Sequence, residues 1–350
     1  MVTATETRDN GASSRPWDAP AGYRFEVPPF PNCWFQVAYT DELAAGAVVP
    51  LRYFGKDLVL FRSDDGVARV VDAFCPHLGA HLGYGGAVIE NTIRCPFHFW
   101  RFDGEGRCVD VPYANKIPPL ARLDGWHVCE KNGLIMVWHH MDRLPPTYEI
   151  PDVAEYNHPA WTPYHKARWK IRTHNQEMAE NAVDSAHFKY VHGTPEQPMT
   201  RAEIDGHILR ARSPVNYVTP QGTVEGGIAS DSYGFGFGTV RFTGIVETLL
   251  VSSVSPIDGE YVDVRFSFSV KKMASEDATK GVARAFIKEI ERQLGQDIPI
   301  WENKVMKPRP VLCDGDGPVG IFRRWAKQFY TNAPELSPAD AGDLGTAAKR

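Results

Sequence analysis

The chain has 350 residues, 43% apolar and 23% charged, proportions of a globular protein rather than a disordered, coiled-coil or collagen-like one. At about 150 residues per domain it is long enough for two. With 38 basic against 43 acidic residues and a net charge of −5, it offers no sequence-wide positive field to a nucleic acid.

Met1 to Pro20 are polar, carry both acids and bases and have no apolar core, so the start does not read as a secretory signal, and residues 1–27 read as a loose tail. The longest apolar runs, such as Leu134 to Trp138 and Leu249 to Val251, fall far short of the roughly 20 residues that cross a bilayer. The expected location is the cytoplasm, where six cysteines stay reduced and selected ones bind metals.

From Cys33 to about His140 the sequence reads as short strands: Val48 to Phe54, Asp57 to Arg62, Val67 to Phe74, Phe99 to Phe102, Gly125 to Glu130 and Leu134 to Trp138. Their β-branched and aromatic content, with Lys56, Asp64, Asp65 and Gly66 between them, predicts a small all-β domain over 28–145. Prolines 145, 146, 151, 159 and 163 then mark a boundary. Beyond it, over 146–335, Gln176 to Lys189 and Thr279 to Lys304 read as helices on either side of strand-like segments from His207 to Lys272. That order predicts an α+β domain with helices on one antiparallel sheet. Residues 336–350 read as a second tail.

The most informative stretch is Cys75-Pro76-His77, 17 intervening residues, then Cys95-Pro96-Phe97-His98. Two thiolates and two imidazoles could close a zinc site or hold a two-iron, two-sulfur cluster. Common zinc fingers put both Cys on one loop and both His on the next helix, whereas here each loop offers one of each. That order favours a Rieske centre. Pro76 and Pro96 stiffen the loops, and Gly79, Gly83, Gly85 and Gly86 permit tight turns.

A second constellation lies in the segment Glu180 to His192, which begins in the helix read at 176–189 and runs past its end. His187 and His192 with a carboxylate would form the two-histidine, one-carboxylate set of mononuclear non-haem iron. Five residues on an ideal helix turn the chain by about 140°, so both imidazoles reach one ion only if the helix ends or bulges between them. Gly193 and Pro195 supply an ending. Asp297 lies within the apolar stripe Phe286, Ile290, Leu294 and Trp301 and is the carboxylate candidate; on spacing alone it reads equally as a surface acid near Pro299. Asp184 precedes His187 by one turn and can accept an imidazole N–H, though it reads equally as a solvated helix acid.

Cys75-x-His77…Cys95-x-x-His98, followed by Asp184-x-x-His187-x-x-x-x-His192 and a late Asp297, resembles the oxygenase components of Rieske non-haem iron oxygenases over roughly residues 28 to 330. The resemblance implies an N-terminal Rieske [2Fe-2S] domain and a C-terminal helix-grip domain with a central antiparallel sheet. It also implies Fe(II) at His187, His192 and Asp297, with Asp184 and Asn181 as catalytic candidates. Electrons would come from NAD(P)H through a separate flavin-dependent reductase, with or without a ferredoxin. Members are head-to-tail rings, commonly trimers, in which the aspartate at the Asp184 position links one subunit's iron to a neighbour's Rieske histidine. Cys95 to Cys108 and Val111-Pro112-Tyr113-Ala114 look most like the 3-ketosteroid 9α-hydroxylase and sterol 7-desaturase branch. The expected reaction is mono-oxygenation of a bulky apolar substrate, a steroid or other polycyclic compound. Aromatic ring dioxygenation and O-demethylation are alternatives within the family, and an electron carrier or zinc-stabilised binding protein is the alternative outside it.

His81, His127, His139 and His140 lack partners at ligand spacing, and Cys33, Cys108, Cys129 and Cys313 read as small buried hydrophobes. The Gly-rich run at Gly234 precedes no predicted helix and is no dinucleotide fingerprint. Tyr233 to Gly238 and Tyr261 to Phe268 read more readily as core than as cavity lining.

Overall fold

The computed structural model describes residues 24–219 and 222–330. The tails assigned to 1–27 and 336–350 lie outside these residues except for 24–27, which are fixed rather than loose. The Arg24 guanidinium donates to the carbonyls of Lys304, Glu302 and Arg172 at 2.7, 2.8 and 2.9 Å, and Phe25 is buried.

The first half is built from β1 (Cys33–Tyr39), β2 (Val48–Tyr53), β3 (Lys56–Arg62), β4 (Ala68–Asp72), β5 (Ala87–Ile89), β6 (Thr92–Arg94), β7 (Arg101–Phe102), β8 (Cys108–Asp110), β9 (Gly125–Trp126), β10 (Val128–Lys131) and β11 (Leu134–His139). They form three small antiparallel sheets, ordered β1-β11-β10, β2-β3-β4-β9 and β5-β6-β7-β8. The single strand expected from Gly125 to Glu130 divides at His127, because the chain changes sheets there: Trp126 pairs with β4 and Val128 with β11.

The second half runs β12 (His165–Ile171), α1 (Asn175–Glu180), α2 (Ala186–Tyr190), β13 (Arg201–Asp205), β14 (Ile208–Thr219), β15 (Gly222–Tyr233), β16 (Gly238–Thr243), β17 (Thr248–Pro256), β18 (Val262–Val270), α3 (Glu276–Asn303) and α4 (Val319–Ala326). Its strands make one seven-stranded antiparallel sheet, ordered β12-β18-β17-β16-β15-β14-β13, as the α+β reading expects. Helix α3 starts earlier than its apolar stripe suggests. The Ser275 side chain accepts the Ala278 N–H at 3.1 Å, and Glu276 and Asp277 occupy the first turn, where the helix dipole favours negative charge. Leu294, Asp297 and Trp301 lie on its buried face, against a core that includes Phe242, Leu250 and Phe266.

The two halves share one core, in which Trp34, Phe35 and the β11 residues pack with Phe235, Phe237 and Trp325. Gly236 makes this contact possible, since a Cβ there would stand 2.0 Å from the Trp34 carbonyl oxygen. Polar bonds add register: Ser255 Oγ donates to the Gln36 carbonyl at 2.6 Å, and Tyr53 OH donates to Asp263 Oδ2 at 2.6 Å. Arg168 and Arg265 also hold that buried carboxylate, at 2.6 and 3.0 Å. It remains ionised despite burial because its donors outweigh the desolvation cost.

The buried-hydrophobe reading holds for Cys33 but not for all four cysteines. Cys108 and Cys129 are half-buried, and Cys313 is exposed in the irregular segment between α3 and α4.

Candidate metal centres and cavity

The first centre sits on two loops, one between β4 and β5 and one between β6 and β7. Each is pinned by backbone bonds around its cysteine. Cys75 N–H donates to Ala80 O at 2.9 Å and Gly79 N–H to Cys75 O at 2.9 Å, while Cys95 N–H donates to Trp100 O at 2.8 Å. Gly79 has φ +74°, and a Cβ on Gly86 would meet the Leu82 carbonyl oxygen at 2.1 Å, so the first loop closes tightly only with glycine at those places. The His77 and His98 rings lie 4.6 Å apart, centroid to centroid, and Trp100 stacks on His77 at the same spacing, 9° from parallel. Trp100 Nε1–H donates to Tyr113 OH at 2.8 Å, bracing the histidine side.

Both thiols are buried, whereas both imidazoles are half-exposed. Burial, reinforced by the adjacent Cys95, pushes the Cys75 thiol up to about 11. The donor set and its asymmetry fit a Rieske cluster, which Cys75 and Cys95 would hold from the buried side and His77 and His98 from the half-exposed side.

The second centre begins where the expected helix over Gln176 to Lys189 breaks into α1 and α2. Asn181, Ala182 and Val183 return their N–H groups to Met178, Ala179 and Glu180, tightening the chain into a 3₁₀-like turn. After α2 the coil widens instead. His192 N–H reaches His187 O at 3.3 Å and Thr194 N–H reaches Phe188 O at 3.1 Å, and Gly193 takes φ +75°. This ending swings His192 back toward His187, as the five-residue spacing requires, and the two rings stand 4.9 Å apart and 83° from parallel.

One potential ligand atom from each of His187, His192 and Asp297 lies within 4.8 Å of the others. His192 Nε2 is 3.5 Å from Asp297 Oδ2. The Nδ1 atoms have other partners: His187 Nδ1 donates to the Asp184 carbonyl at 2.5 Å, and His192 Nδ1 donates to Gln296 Oε1 at 3.2 Å. Both Nε2 atoms are thereby left as ligand atoms. Asn181 Nδ2 lies 3.1 Å from Asp297 Oδ2 and 3.4 Å from His187 Nε2. Burial pushes the His187 imidazole toward its neutral form. For His192 burial acts the same way but is outweighed by the Asp297 carboxylate, so its proton is held more tightly until a metal replaces it. Two imidazoles and one carboxylate around a common point fit ferrous iron with open positions.

Asp184 departs from the expected role. Its backbone carbonyl, not its carboxylate, accepts the His187 N–H; the carboxylate is 3.9 Å from Nδ1. Oδ1 instead accepts the N–H groups of Ala186 and His187 at 3.1 and 3.3 Å, capping α2, and the side chain is 43% exposed. The segment bearing Asp184 and His187 is also held from the C-terminal side. Arg323 Nη2 donates to Glu180 Oε1 at 2.8 Å, Lys304 Nζ pairs with buried Glu177 at 2.6 Å, and Gly317 packs onto the Val183 carbonyl.

These residues open on a cavity of about 230 Å³ between α3 and the sheet. Its walls are largely apolar, from Met178, Ile228, Phe237, Phe266, Leu294 and Trp301. Phe235, Phe237 and Phe266 thus serve both core and cavity, where the aromatic alternation read as plain core. Gln296 and the cavity serines had no sequence signal of their own; only the proximity of Gln296 to Asp297 could have drawn attention to it.

A chain carrying both donor sets on this fold defines a class, the oxygenases that couple a Rieske cluster to mononuclear iron. Residues 137–330 match the family model for the 3-ketosteroid 9α-hydroxylase C-terminal domain, residues 33–121 match that for the Rieske [2Fe-2S] domain, and the chain belongs to this family of Rieske oxygenases. A 3-ketosteroid-9-alpha-monooxygenase oxygenase component from Rhodococcus rhodochrous is 33% identical over 327 residues, covering 88% of this chain and 86% of the relative. Cholesterol 7-desaturase nvd 1 of Ciona intestinalis is 32% identical over 342 residues, covering 89% and 72%. Among solved structures, a Pseudomonas putida CBB5 NdmA mutant with caffeine has a TM-score of 0.70 at 21% identity, covering 84% of this chain and 89% of that one. Dicamba monooxygenase bound to dicamba has a TM-score of 0.69 at 19% identity, covering 85% and 96%. At these identities the two share the fold.

The protein is therefore an oxidoreductase, the oxygenase component of a multicomponent system with a Rieske cluster and mononuclear iron. A reductase or ferredoxin delivers electrons drawn from NAD(P)H. No helix among the described residues is long and apolar enough to cross a membrane.

Proposed function

We propose that the chain mono-oxygenates a bulky, apolar polycyclic substrate of the steroid type, with His187, His192 and Asp297 holding the iron and Cys75, His77, Cys95 and His98 holding the cluster. The observation that carries this reading is the convergence of three potential ligand atoms within 4.8 Å at the wall of a largely apolar cavity. The two relatives named above, which cover 88% and 89% of this chain, bear a ketosteroid and cholesterol in their names, which favours a fused-ring substrate.

When bound, the ferrous ion supplies the activation of O2, using electrons stored in the cluster. The chain's own contribution is orientation and dryness. The Asp184 carbonyl and Gln296 fix the imidazole tautomers; Asn181 steadies Asp297; Phe237, Phe266 and Trp301 keep water from the reacting face.

Cluster and iron are proposed to meet between subunits of a homotrimer in the cytoplasm, with Asp184 bridging to His98 of a neighbouring copy. Two features support this: the exposed Asp184 carboxylate, and the exposed Leu78, Phe97 and Phe99 beside the half-exposed cluster histidines. The test is turnover of a 3-keto steroid by purified oxygenase with NADH, a flavin-dependent reductase and a ferredoxin, alongside metal analysis and mass in solution. A product gaining one oxygen atom, with about three irons per chain (two in the cluster and one at the histidine pair), is expected. Iron near two per chain would reduce the protein to an electron carrier. A demethylated or dihydroxylated product from another substrate would reassign the chemistry within the family.

A further inference from the structure

The cavity is not uniformly apolar. Ser230 and Ser232 on β15 and Ser252 on β17 face into it, and none of their hydroxyls has a protein hydrogen-bond partner among the described residues. Register explains how two of them come to act together. Ser232 pairs with Gly238 of β16, and Gly238 pairs with Ser252, so the three lie in one row across neighbouring strands, on the same face of the sheet.

Strands stand about 4.8 Å apart, and the middle residue of the row has no side chain. A Cβ on Gly238 would stand 3.3 Å from the Asp231 carbonyl oxygen and 3.8 Å from Ser232 Oγ, so glycine leaves the centre of the row open where any side chain would crowd it. The result is a gap flanked by two hydroxyl donors within an aromatic and aliphatic wall. The next row on this face, Ser230-Val240-Leu250, has a side chain at its centre and no second hydroxyl. Unpaired hydroxyls lining an apolar site act against a ligand that cannot bond to them and favour one that can.

We propose that Ser232 and Ser252, on either side of Gly238, form a hydroxyl-flanked slot in which either serine can donate to a carbonyl or hydroxyl oxygen of an otherwise apolar substrate. This deepens the bulky-substrate reading and rests on it. The slot selects oxygenated polycyclic compounds over the parent hydrocarbons and fixes which end of the substrate points away from the slot. Both serines are specificity residues that act by direct contact with the substrate.

The test is equilibrium dialysis of the iron-loaded protein against two tritiated probes, androstenedione, which carries ketones, and androstane, which carries no oxygen. The wild type should bind androstenedione at least about tenfold more tightly. The double variant Ser232→Ala/Ser252→Ala should lose that preference while keeping its androstane affinity. Gly238→Ala, which fills the gap and leaves both hydroxyls, should weaken androstenedione binding in the same direction. Equal wild-type affinities, or a preference that survives in the double variant, would overturn the slot and leave the bulky-substrate reading standing. Failure of both probes to bind a fully metallated wild type would overturn the two together.

Discussion

Asn181 and Asp297, 116 residues apart in the chain, meet through a 3.1 Å hydrogen bond from Asn181 Nδ2 to Asp297 Oδ2. The same amide lies 3.4 Å from His187 Nε2, so one side chain spans two members of the proposed iron triad. A carboxylate on a buried helix face gains orientation from such a donor, and losing a partner of this kind costs roughly 10–100-fold in metal affinity. Asn181→Ala should therefore load less iron at the histidine pair and lose turnover in proportion, with the Rieske absorption spectrum unchanged. Iron analysis before and after dialysis against a weak chelator checks this.

Asp184 performs two separable tasks, and two variants distinguish them. Asparagine keeps an oxygen to accept the Ala186 and His187 N–H groups, so Asp184→Asn should retain both metal centres yet nearly stop substrate oxidation if the charge serves the path between subunits. Alanine removes the cap as well, at a cost of about 1 kcal/mol, and should also lower the melting temperature. Turnover of Asp184→Asn at the wild-type rate would eliminate the bridging role.

Gln296 holds His192 through its amide oxygen. Gln296→Leu frees the ring to rotate and should lower iron affinity by roughly 10–100-fold. Gln296→Glu retains an acceptor and should recover most of it. Competition with a fluorescent chelator reads the difference without reliance on catalysis.

Acid sensitivity should arise away from the metals. Burial pushes both His139 and His174 down to about 4. His139 is bonded to the Pro31 carbonyl and His174 to that of Pro28. An unfolded chain takes up these protons near 6.5, so between about 6.5 and 4 the unfolded state binds more protons and stability falls as pH falls. The stabilisation is fully present above pH 6.5. The melting temperature should drop from pH 7 to 5, and His139→Asn should show a shallower drop than the wild type.

The first donor set was legible because its members are local: each short loop carries one cysteine and one histidine, so the residue order itself set it apart from a common zinc finger. The His187 and His192 pair was legible too, together with the requirement that the helix end between them. Asp297 was visible only as an acid inside an apolar stripe. The rest depends on geometry that no local pattern encodes. Residues 181–185 interrupt what periodicity reads as one helix, and that interruption turns the Asp184 carbonyl, rather than its carboxylate, toward His187. The serine row follows from pairing across three strands. Residues 24–27 look like a tail until the carbonyls at the end of α3 are in place to receive Arg24.

Gly317 offers the ion no donor atom, yet a methyl group at this position would collide with the Val183 oxygen at 1.8 Å. Even alanine there would force apart the ligand-bearing turn and the segment leading into α4. The proposed iron site is thus shaped from behind by a residue that is not among its donors, and an intact donor set would not by itself secure a working site.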